Sequence, residues 1–130
     1  MTPATALASP KILVIEDYTD TRELLSVLLH RQGYQVLQAR SGPEGLLTAC
    51  GALPDLVIMD LALPEMDGIE VARRIRETAA LSRVPIFIVS AYLTPEVQAE
   101  IRAAGCAEMF GKPCDFDSLL EAVRITLGER

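Results

Sequence analysis

Several residue types and patterns are scarce in this sequence of 130 residues. It has no tryptophan, three cysteines and one histidine, and it contains no run of basic residues. Its longest apolar stretches, such as ILVI and IFIV, are far shorter than a membrane span requires. The N-terminal MTPATALASP has no basic segment ahead of an apolar one, so it does not resemble a signal peptide. These absences predict a cytoplasmic protein that does not enter a membrane.

Positive charge is also in short supply. The formal net charge is −6, and the only lysines are Lys11 and Lys112. Binding to DNA, RNA or an anionic membrane needs a basic patch that releases counterions. We therefore expect no direct contact with nucleic acid or with a membrane.

The three cysteines predict neither a disulfide framework nor a zinc site. Cys50, Cys106 and Cys114 form no CxxC pair, and no histidine cluster accompanies them. We expect them to be small, buried or half-buried side chains in a reducing compartment. Cys114 follows a Lys-Pro pair, and because a thiol near an ammonium group can be activated, redox regulation is a minor alternative.

The remaining composition fits one globular domain. Apolar residues make up 50% of the chain and charged residues 23%, which is an ordinary balance for a folded protein. A chain of this length buries roughly two thirds of the surface that it would expose when unfolded. We assign residues 1–9 to a flexible N-terminal lead and residues 10–128 to the domain.

Short apolar runs alternate with helical patterns along the chain. Asp67, Thr94 and Asp115 are suitable helix N-caps, and Gly33 suits the end of a helix. Strict alternation predicts a parallel sheet covered by helices on both sides. The predicted fold is α/β, a single-domain flavodoxin-like sheet of strand order 2-1-3-4-5 with five helices on both faces. The predicted strands are 11–15, 34–39, 55–60, 84–90 and 106–111, and the predicted helices are 20–32, 43–51, 67–79, 95–104 and 116–127.

Polar side chains follow the strands at their carboxyl ends. Glu16 and Asp17 follow strand 1, Asp60 ends strand 3, Ser90 ends strand 4 and Lys112 follows strand 5. Strands 1 and 3 are neighbours in this strand order, so three carboxylates crowd one edge of the sheet. Such a cluster needs Lys112 or a hard cation such as Mg²⁺ among its charges. A single aspartate at a strand end is often only a cap, but this set in this order favours phosphoryl transfer.

Four segments match the motifs of a known family in order and in spacing: KILVIEDYTDTRELL, DLVIMDLALPEMDG, VPIFIVSAY and GKPCD. Together they resemble the receiver domain of bacterial two-component response regulators, the CheY-like family, over residues 10–127. The resemblance implies Mg²⁺-dependent transfer of a phosphoryl group from a phosphohistidine of a partner to an aspartate. A conformational change and hydrolysis follow. The chain would then be no enzyme in the usual sense, since it acts only on its own phosphorylation.

The resemblance also assigns the residues of a metal site. Asp60 matches the phosphoacceptor and is one of the ligands. Asp17 matches the direct carboxylate ligand of Mg²⁺, and Glu16 matches the acid that acts through water. The third protein ligand in the family is a backbone carbonyl, which here belongs to Ala62.

Further residues match the groups that contact the phosphoryl oxygens. Ser90 occupies the position of the hydroxyl that hydrogen-bonds the phosphoryl group and takes part in the switch. Lys112 matches the lysine that pairs with a phosphoryl oxygen, and the peptide before Pro113 is usually cis in the family.

Three positions depart from the family pattern or tune it. Met109 stands where the family commonly has the aromatic residue whose inward rotation accompanies phosphorylation, with Phe110 beside it. A flexible thioether can also fill or vacate a pocket, so Met109 is a candidate switch residue. Ala62 and Tyr92 flank the path of the attacking water and carry no acid or amide to orient it. We therefore expect slow self-dephosphorylation.

The partners that the resemblance implies are a sensor histidine kinase or a histidine phosphotransferase, and a downstream protein target. Family members commonly bind partners or form homodimers through the fourth helix, fifth strand and fifth helix. Here that surface would draw on residues 95–104 and 115–127. We identify no output domain, so the chain acts alone or as part of a larger regulator or hybrid kinase.

Other classes of function remain as alternatives. A receiver-like interaction module that works without phosphorylation is slightly favoured by Met109, but the intact set of carboxylates with Lys112 argues against it. A phosphatase with an aspartate nucleophile usually has a second aspartate two residues on, where this chain has Ala62. A flavodoxin would need a loop after strand 1 that accepts an anion, and EDYTDT is acidic.

Overall fold

The computed structural model describes residues 9–128 and shows strands and helices in alternation. The strands are β1 (Lys11–Ile15), β2 (Gln35–Ala39), β3 (Leu56–Asp60), β4 (Ile86–Ser90) and β5 (Glu108–Gly111). The helices are α1 (Thr19–Arg31), α2 (Gly42–Ala52), α3 (Gly68–Glu77), α4 (Pro95–Ala103) and α5 (Phe116–Thr126), with a 3₁₀ turn at Ala79–Leu81 after α3.

All strand pairs are parallel, and the order across the sheet is β2-β1-β3-β4-β5. This order confirms the predicted flavodoxin-like fold, with β1 and β3 side by side at the centre. In register, Ile15 of β1 lies opposite Met59 of β3, so the residues after each strand leave the sheet at the same edge.

Helices pack on both faces of the sheet because successive strand residues point to opposite sides. Leu13 and Ile15 of β1 join the core beneath α2, α3 and α4, whereas Ile12 and Val14 join the core beneath α1 and α5. The central strands β3 and β4 are buried along their whole length. This rigid centre carries the strand ends from which the site is built.

The predicted caps are confirmed. Backbone N–H groups donate to the side chains of Asp67, Thr94 and Asp115, so each residue begins its helix as an N-cap. Gly33 follows α1 with φ = 99°, a left-handed conformation that glycine adopts without steric cost.

The buried face of α1 differs from the most apolar face in the sequence. The residues buried against the sheet are Arg22, Leu25, Ser26 and Leu29. Leu24 and Val27 are each 48% exposed. The face of α1 that is buried against the sheet therefore includes an arginine and a serine, and the more apolar face with Leu24 and Val27 is partly exposed.

The predictions for the cysteines, the N-terminal lead and membrane spans have different outcomes. Cys50 is exposed, so the expectation of burial is wrong for that residue, while Cys106 and Cys114 are half-buried. The predicted N-terminal lead lies outside the described residues, except for Ser9. Within residues 9–128, no helix is both long enough and apolar enough to cross a bilayer.

Candidate phosphorylation site

Asp60 is the last residue of β3 and is only 8% exposed. The apolar residues before it are buried in the sheet, which fixes its backbone, and its Oδ1 accepts the N–H of Ala62 at 3.1 Å. The chain then turns through the loop before α3, and the N–H of Gly68 donates to the carbonyl of Leu61 at 2.9 Å. The buried strand thus fixes the backbone before the carboxylate, and this hydrogen-bonded loop follows it.

Three acids meet at this edge of the sheet. One carboxylate oxygen from each of Glu16, Asp17 and Asp60 lies within 4.8 Å of the others. Adjacency of β1 and β3 produces this cluster, because both strands end at the same edge. Glu16 and Asp60 are buried and Asp17 is exposed. Oxygen ligands of this kind, open to water on one side, fit a hard divalent cation such as Mg²⁺.

Lys112 reaches into the cluster from the end of β5. Its Nζ donates to Asp60 Oδ2 at 2.8 Å and to Glu16 Oε1 at 3.1 Å. The backbone N–H of Lys112 donates to the carbonyl of Ser90 at 3.0 Å, and the peptide between Lys112 and Pro113 is cis. One ammonium group therefore joins the ends of β1, β3 and β5.

The pKa values of Glu16 and Lys112 are both raised. A raised pKa disfavours the charged form of the acid and favours the charged form of the lysine. Burial raises the pKa of Glu16 above its ordinary value of 4.5 and the charge of Asp60 adds to this, against the hydrogen bonds from Tyr18 and Lys112. Burial alone would lower the pKa of Lys112, but hydrogen bonds to Asp60 and Glu16, and their charges, raise it above 10.5. The ammonium is well accommodated, whereas Glu16 carries its charge against the cost of burial.

The other residues assigned from the sequence lie around this cluster. Ser90 ends β4 and is buried, and its Oγ accepts the N–H of Tyr92 at 3.2 Å. The side chain of Tyr92 is 76% exposed. Ala62 lies in the loop after Asp60 and is exposed.

Met109 and Phe110 point to opposite faces of β5. Met109 packs against the core beneath α2, α3 and α4. Phe110 packs against the other core, with its ring centroid 5.7 Å from that of Phe87. The thioether thus stands on the α4 side of the sheet, and the aromatic ring stands on the α5 side.

Cys114 lines a cavity of about 290 Å³ that Glu16, Asp60 and Lys112 of the cluster also line, and apolar residues of β1, β3, β4, α1 and α5 form most of its other walls. Burial raises the pKa of the Cys114 thiol, Asp115 raises it further, and Lys112 only partly opposes them. A thiol is less nucleophilic when its pKa is raised, so this geometry does not favour the redox alternative.

Two residues near the cluster were not singled out from the sequence. Arg22 is buried and donates to the carbonyl of Glu16, and Gly68 packs directly on the backbone of Asp60. The spacing of Arg22 from the other buried residues of α1, which lie three, four and seven residues later, becomes a signal only once that stripe is known. The spacing of Gly68 after Asp60 carries no such signal.

Chemically, the cluster combines a buried carboxylate, further carboxylates for a cation and a fixed ammonium group. A carboxylate so placed can attack an electrophilic phosphorus atom, because the positive groups offset the negative charge of the phosphoryl oxygens.

Comparisons with known proteins agree on one family. The family model described as "Response regulator receiver domain" matches residues 12–124. The polar-differentiation response regulator DivK of Brucella ovis is 30% identical over 118 residues, which are 91% of this chain and 96% of DivK.

Solved structures give the same result. Chemotaxis response regulator CheY4 of Vibrio cholerae matches with a TM-score of 0.86 and 28% identity, covering 92% of this chain and 99% of that one. The signal receiver domain of a histidine kinase from Syntrophus aciditrophicus matches with a TM-score of 0.85 and 28% identity, covering 94% of each chain. The chain belongs to the response regulator receiver domain family.

Proposed function

We propose that this receiver domain is a phosphorylation-dependent switch that accepts a phosphoryl group on Asp60 from a histidine kinase or a histidine phosphotransferase. The observation that carries the proposal is the ammonium group of Lys112, which bridges Asp60 and Glu16 within a cluster of acids. A structural cap at the end of β3 would need neither the lysine nor the two acids of β1.

In the proposed reaction, a carboxylate oxygen of Asp60 attacks the phosphorus of the phosphohistidine. A bond between oxygen and phosphorus forms, the bond between phosphorus and the imidazole nitrogen breaks, and the partner's imidazole leaves and takes up a proton. Lys112 offsets charge on a phosphoryl oxygen, and the hydroxyl of Ser90 donates a hydrogen bond to another. Water later attacks the phosphorus, which releases inorganic phosphate and restores the carboxylate.

We propose that Asp17, Asp60 and the carbonyl of Ala62 hold Mg²⁺, with Glu16 acting through water. When bound, the ion offsets the negative charge of the phosphoryl oxygens. The carboxylates of Glu16, Asp17 and Asp60 carry the charge and the ligand type for such a site.

The proposal leaves the chain with no turnover substrate, since it acts only on its own phosphoryl group. Its partners would be the phosphohistidine donor and a downstream protein that distinguishes the two states, with α4, β5 and α5 as the surface for a target or a second copy. The cytoplasm is the expected compartment.

The decisive experiment uses phosphoramidate, whose phosphorus to nitrogen bond resembles that of phosphohistidine. Wild-type protein incubated with phosphoramidate and MgCl₂ should gain the mass of one phosphoryl group. Omission of Mg²⁺ or the substitution Asp60→Asn should abolish the gain, and Asp67→Asn, which alters only a helix cap, should leave it. Labelling that ignores Mg²⁺ or persists in Asp60→Asn would overturn the proposal.

The alternative of a module that works without phosphorylation is favoured by Met109, which occupies the position where the family commonly has the aromatic residue of the switch. A target that binds wild type and Asp60→Asn equally, with and without phosphoramidate, would support this second function.

A further inference from the structure

Arg22 of α1 is a buried cation, with an exposed fraction of only 4%. Its Nη1 donates to the carbonyl oxygen of Glu16 at 3.0 Å, and its Nε donates to Oε1 of Gln38 at 3.0 Å. Among residues 9–128, no carboxylate lies within ion-pair distance of its guanidinium group. Buried charges are usually paired with an opposite charge, so the burial of Arg22 needs another explanation.

The position of the Glu16 carbonyl, which accepts the hydrogen bond from Arg22, provides an explanation for the burial of this arginine. The carbonyl of Glu16 and the N–H of Asp17 belong to one planar peptide unit. The N–H of Glu16 already donates to the carbonyl of Ala39 in β2 at 3.0 Å. With Arg22 on the carbonyl, the backbone is held on both sides of Glu16, and the peptide plane that joins the two acids is fixed.

Arg22 is itself held firmly. Its backbone is held as part of the helix, since its N–H donates to the carbonyl of Tyr18, the N-cap of α1, and its carbonyl accepts the hydroxyl of Ser26 at 2.7 Å; neither bond touches the guanidinium group. Its guanidinium group spans the end of β1 and the neighbouring edge strand β2. Only a planar fork with several donors can reach both acceptors from one side chain, which a lysine ammonium cannot do in the same geometry.

The orientation of the exposed Asp17 depends most on these hydrogen bonds of Arg22. Glu16 and Asp60 are each held by Lys112, but within residues 9–128 no ion pair or side-chain hydrogen bond holds Asp17. The direction of its carboxylate is therefore set by the backbone at residues 16 and 17.

We propose that Arg22 is a positioning residue that orients the Glu16–Asp17 peptide and thereby sets the affinity of the acidic cluster for a divalent cation. This inference rests on the proposed function, in which that cluster holds Mg²⁺. The arginine contacts neither the cation nor the phosphoryl group, and its effect passes through the backbone.

The test is a calorimetric titration of the folded, full-length protein with MgCl₂ at a temperature well below unfolding. Arg22→Met should weaken Mg²⁺ binding about tenfold or more, as loss of a group that orients metal ligands typically does. Arg22→Lys keeps the charge but not the fork, and should weaken binding to a smaller extent. Arg31→Met, which removes an exposed arginine from the same helix, should leave the affinity within about twofold of wild type.

Ser26→Ala separates positioning from general stability. It removes the hydroxyl bond to the carbonyl of Arg22 and should lower the midpoint of thermal unfolding without changing Mg²⁺ affinity. Equal Mg²⁺ affinity in wild type and both Arg22 variants would overturn the inference, and so would a loss in Ser26→Ala as large as that in Arg22→Met. If Arg22→Met does not fold, Arg22→Lys decides. A wild-type protein that binds no Mg²⁺ would instead contradict the proposed function itself.

Discussion

Glu16 is buried beside Asp60, and burial raises the pKa of its carboxyl group. The folded state therefore binds the proton of Glu16 more tightly than the unfolded state does. Above the raised pKa, where both states are ionised, this difference destabilises the folded protein. The negative charge of Glu16, a member of the acidic cluster, thus costs the folded protein stability.

The first prediction concerns this pH dependence in EDTA. As the pH falls through the raised pKa of Glu16 toward the ordinary value of 4.5, protonation of Glu16 should increase the free energy of unfolding. Urea titrations followed by circular dichroism measure that free energy at each pH. Glu16→Gln should show a weaker increase, because only the general relief of negative charge remains. Identical pH profiles for the two proteins would contradict the assignment.

A second prediction at this scale concerns the lifetime of the phosphoryl group. Neither Ala62 nor Tyr92 offers an acid or amide that could orient water, and the ring of Tyr92 is largely exposed. We expect slow decay in the wild type and decay at least about tenfold faster in the double variant Ala62→Asn, Tyr92→Glu. Intact mass measured over time after removal of the donor gives both rates. Equal rates would refute the expectation.

Single residues differ in how far the sequence reveals them. Asp60, Lys112 and the acids of β1 could be predicted because each follows a strand, and parallel strands end at one edge. Arg22 could not, since an arginine among leucines in a helix resembles a solvated charge. Its burial depends on the carbonyl of Glu16 and the amide of Gln38, which only the folded chain brings to it.

At the scale of elements, the start of α3 packs against the end of β3. A Cβ atom at Gly68 would lie 2.7 Å from the carbonyl oxygen of Asp60 and 2.8 Å from the Cα of Leu61. Both atoms are backbone and cannot rotate away. The approach of this helix to Asp60 therefore depends on the absence of a side chain at Gly68.

The third prediction compares two glycine substitutions. Gly68→Ala should lower the free energy of unfolding by about 1–3 kcal/mol through overpacking, and should reduce labelling by phosphoramidate because Asp60 is displaced. Gly51→Ala, in α2 with no atom near its added methyl group, should raise stability by about 0.5–1 kcal/mol and leave labelling unchanged. Urea unfolding and intact mass measure the two effects. Normal labelling of Gly68→Ala would contradict the packing argument.

Element boundaries were predictable where a local signal marks them. Asp67, Thr94 and Asp115 each cap a helix with their own side chain, so the residue type alone indicates where the helix begins. The ends of strands are marked less clearly by the local sequence. The predicted strand 84–90 begins only at Ile86, after Pro85, a residue without an N–H group to pair in a sheet.

At the scale of the whole molecule, a cation that binds only the folded chain stabilises all of it. The fourth prediction is that Mg²⁺ raises the midpoint of thermal unfolding, by an amount equivalent to about 2.7 kcal/mol at a hundredfold excess over the dissociation constant. Asp17→Asn should lose this effect and yet unfold like wild type in EDTA, because Asp17 is exposed. A full Mg²⁺ response in Asp17→Asn would exclude it as a ligand.

The architecture was predictable because alternation of strands and helices, with right-handed crossovers, leaves few sheet orders. The assignment of apolar residues to the two cores, one on each face of the sheet, was not predictable. Which apolar residues lie beneath α1 and α5, and which lie beneath the other helices, depends on helix orientations that the competing faces of α1 leave ambiguous.

The contact between Lys112 and Glu16 joins residues 96 positions apart, and the contact with Asp60 joins residues 52 positions apart. During synthesis, the acids leave the ribosome long before the lysine that completes their site. Under the proposed function, a truncated or half-translated copy holds the acids without the ammonium and is silent in signalling rather than falsely active. Competence to carry the signal then requires a chain translated at least as far as Lys112.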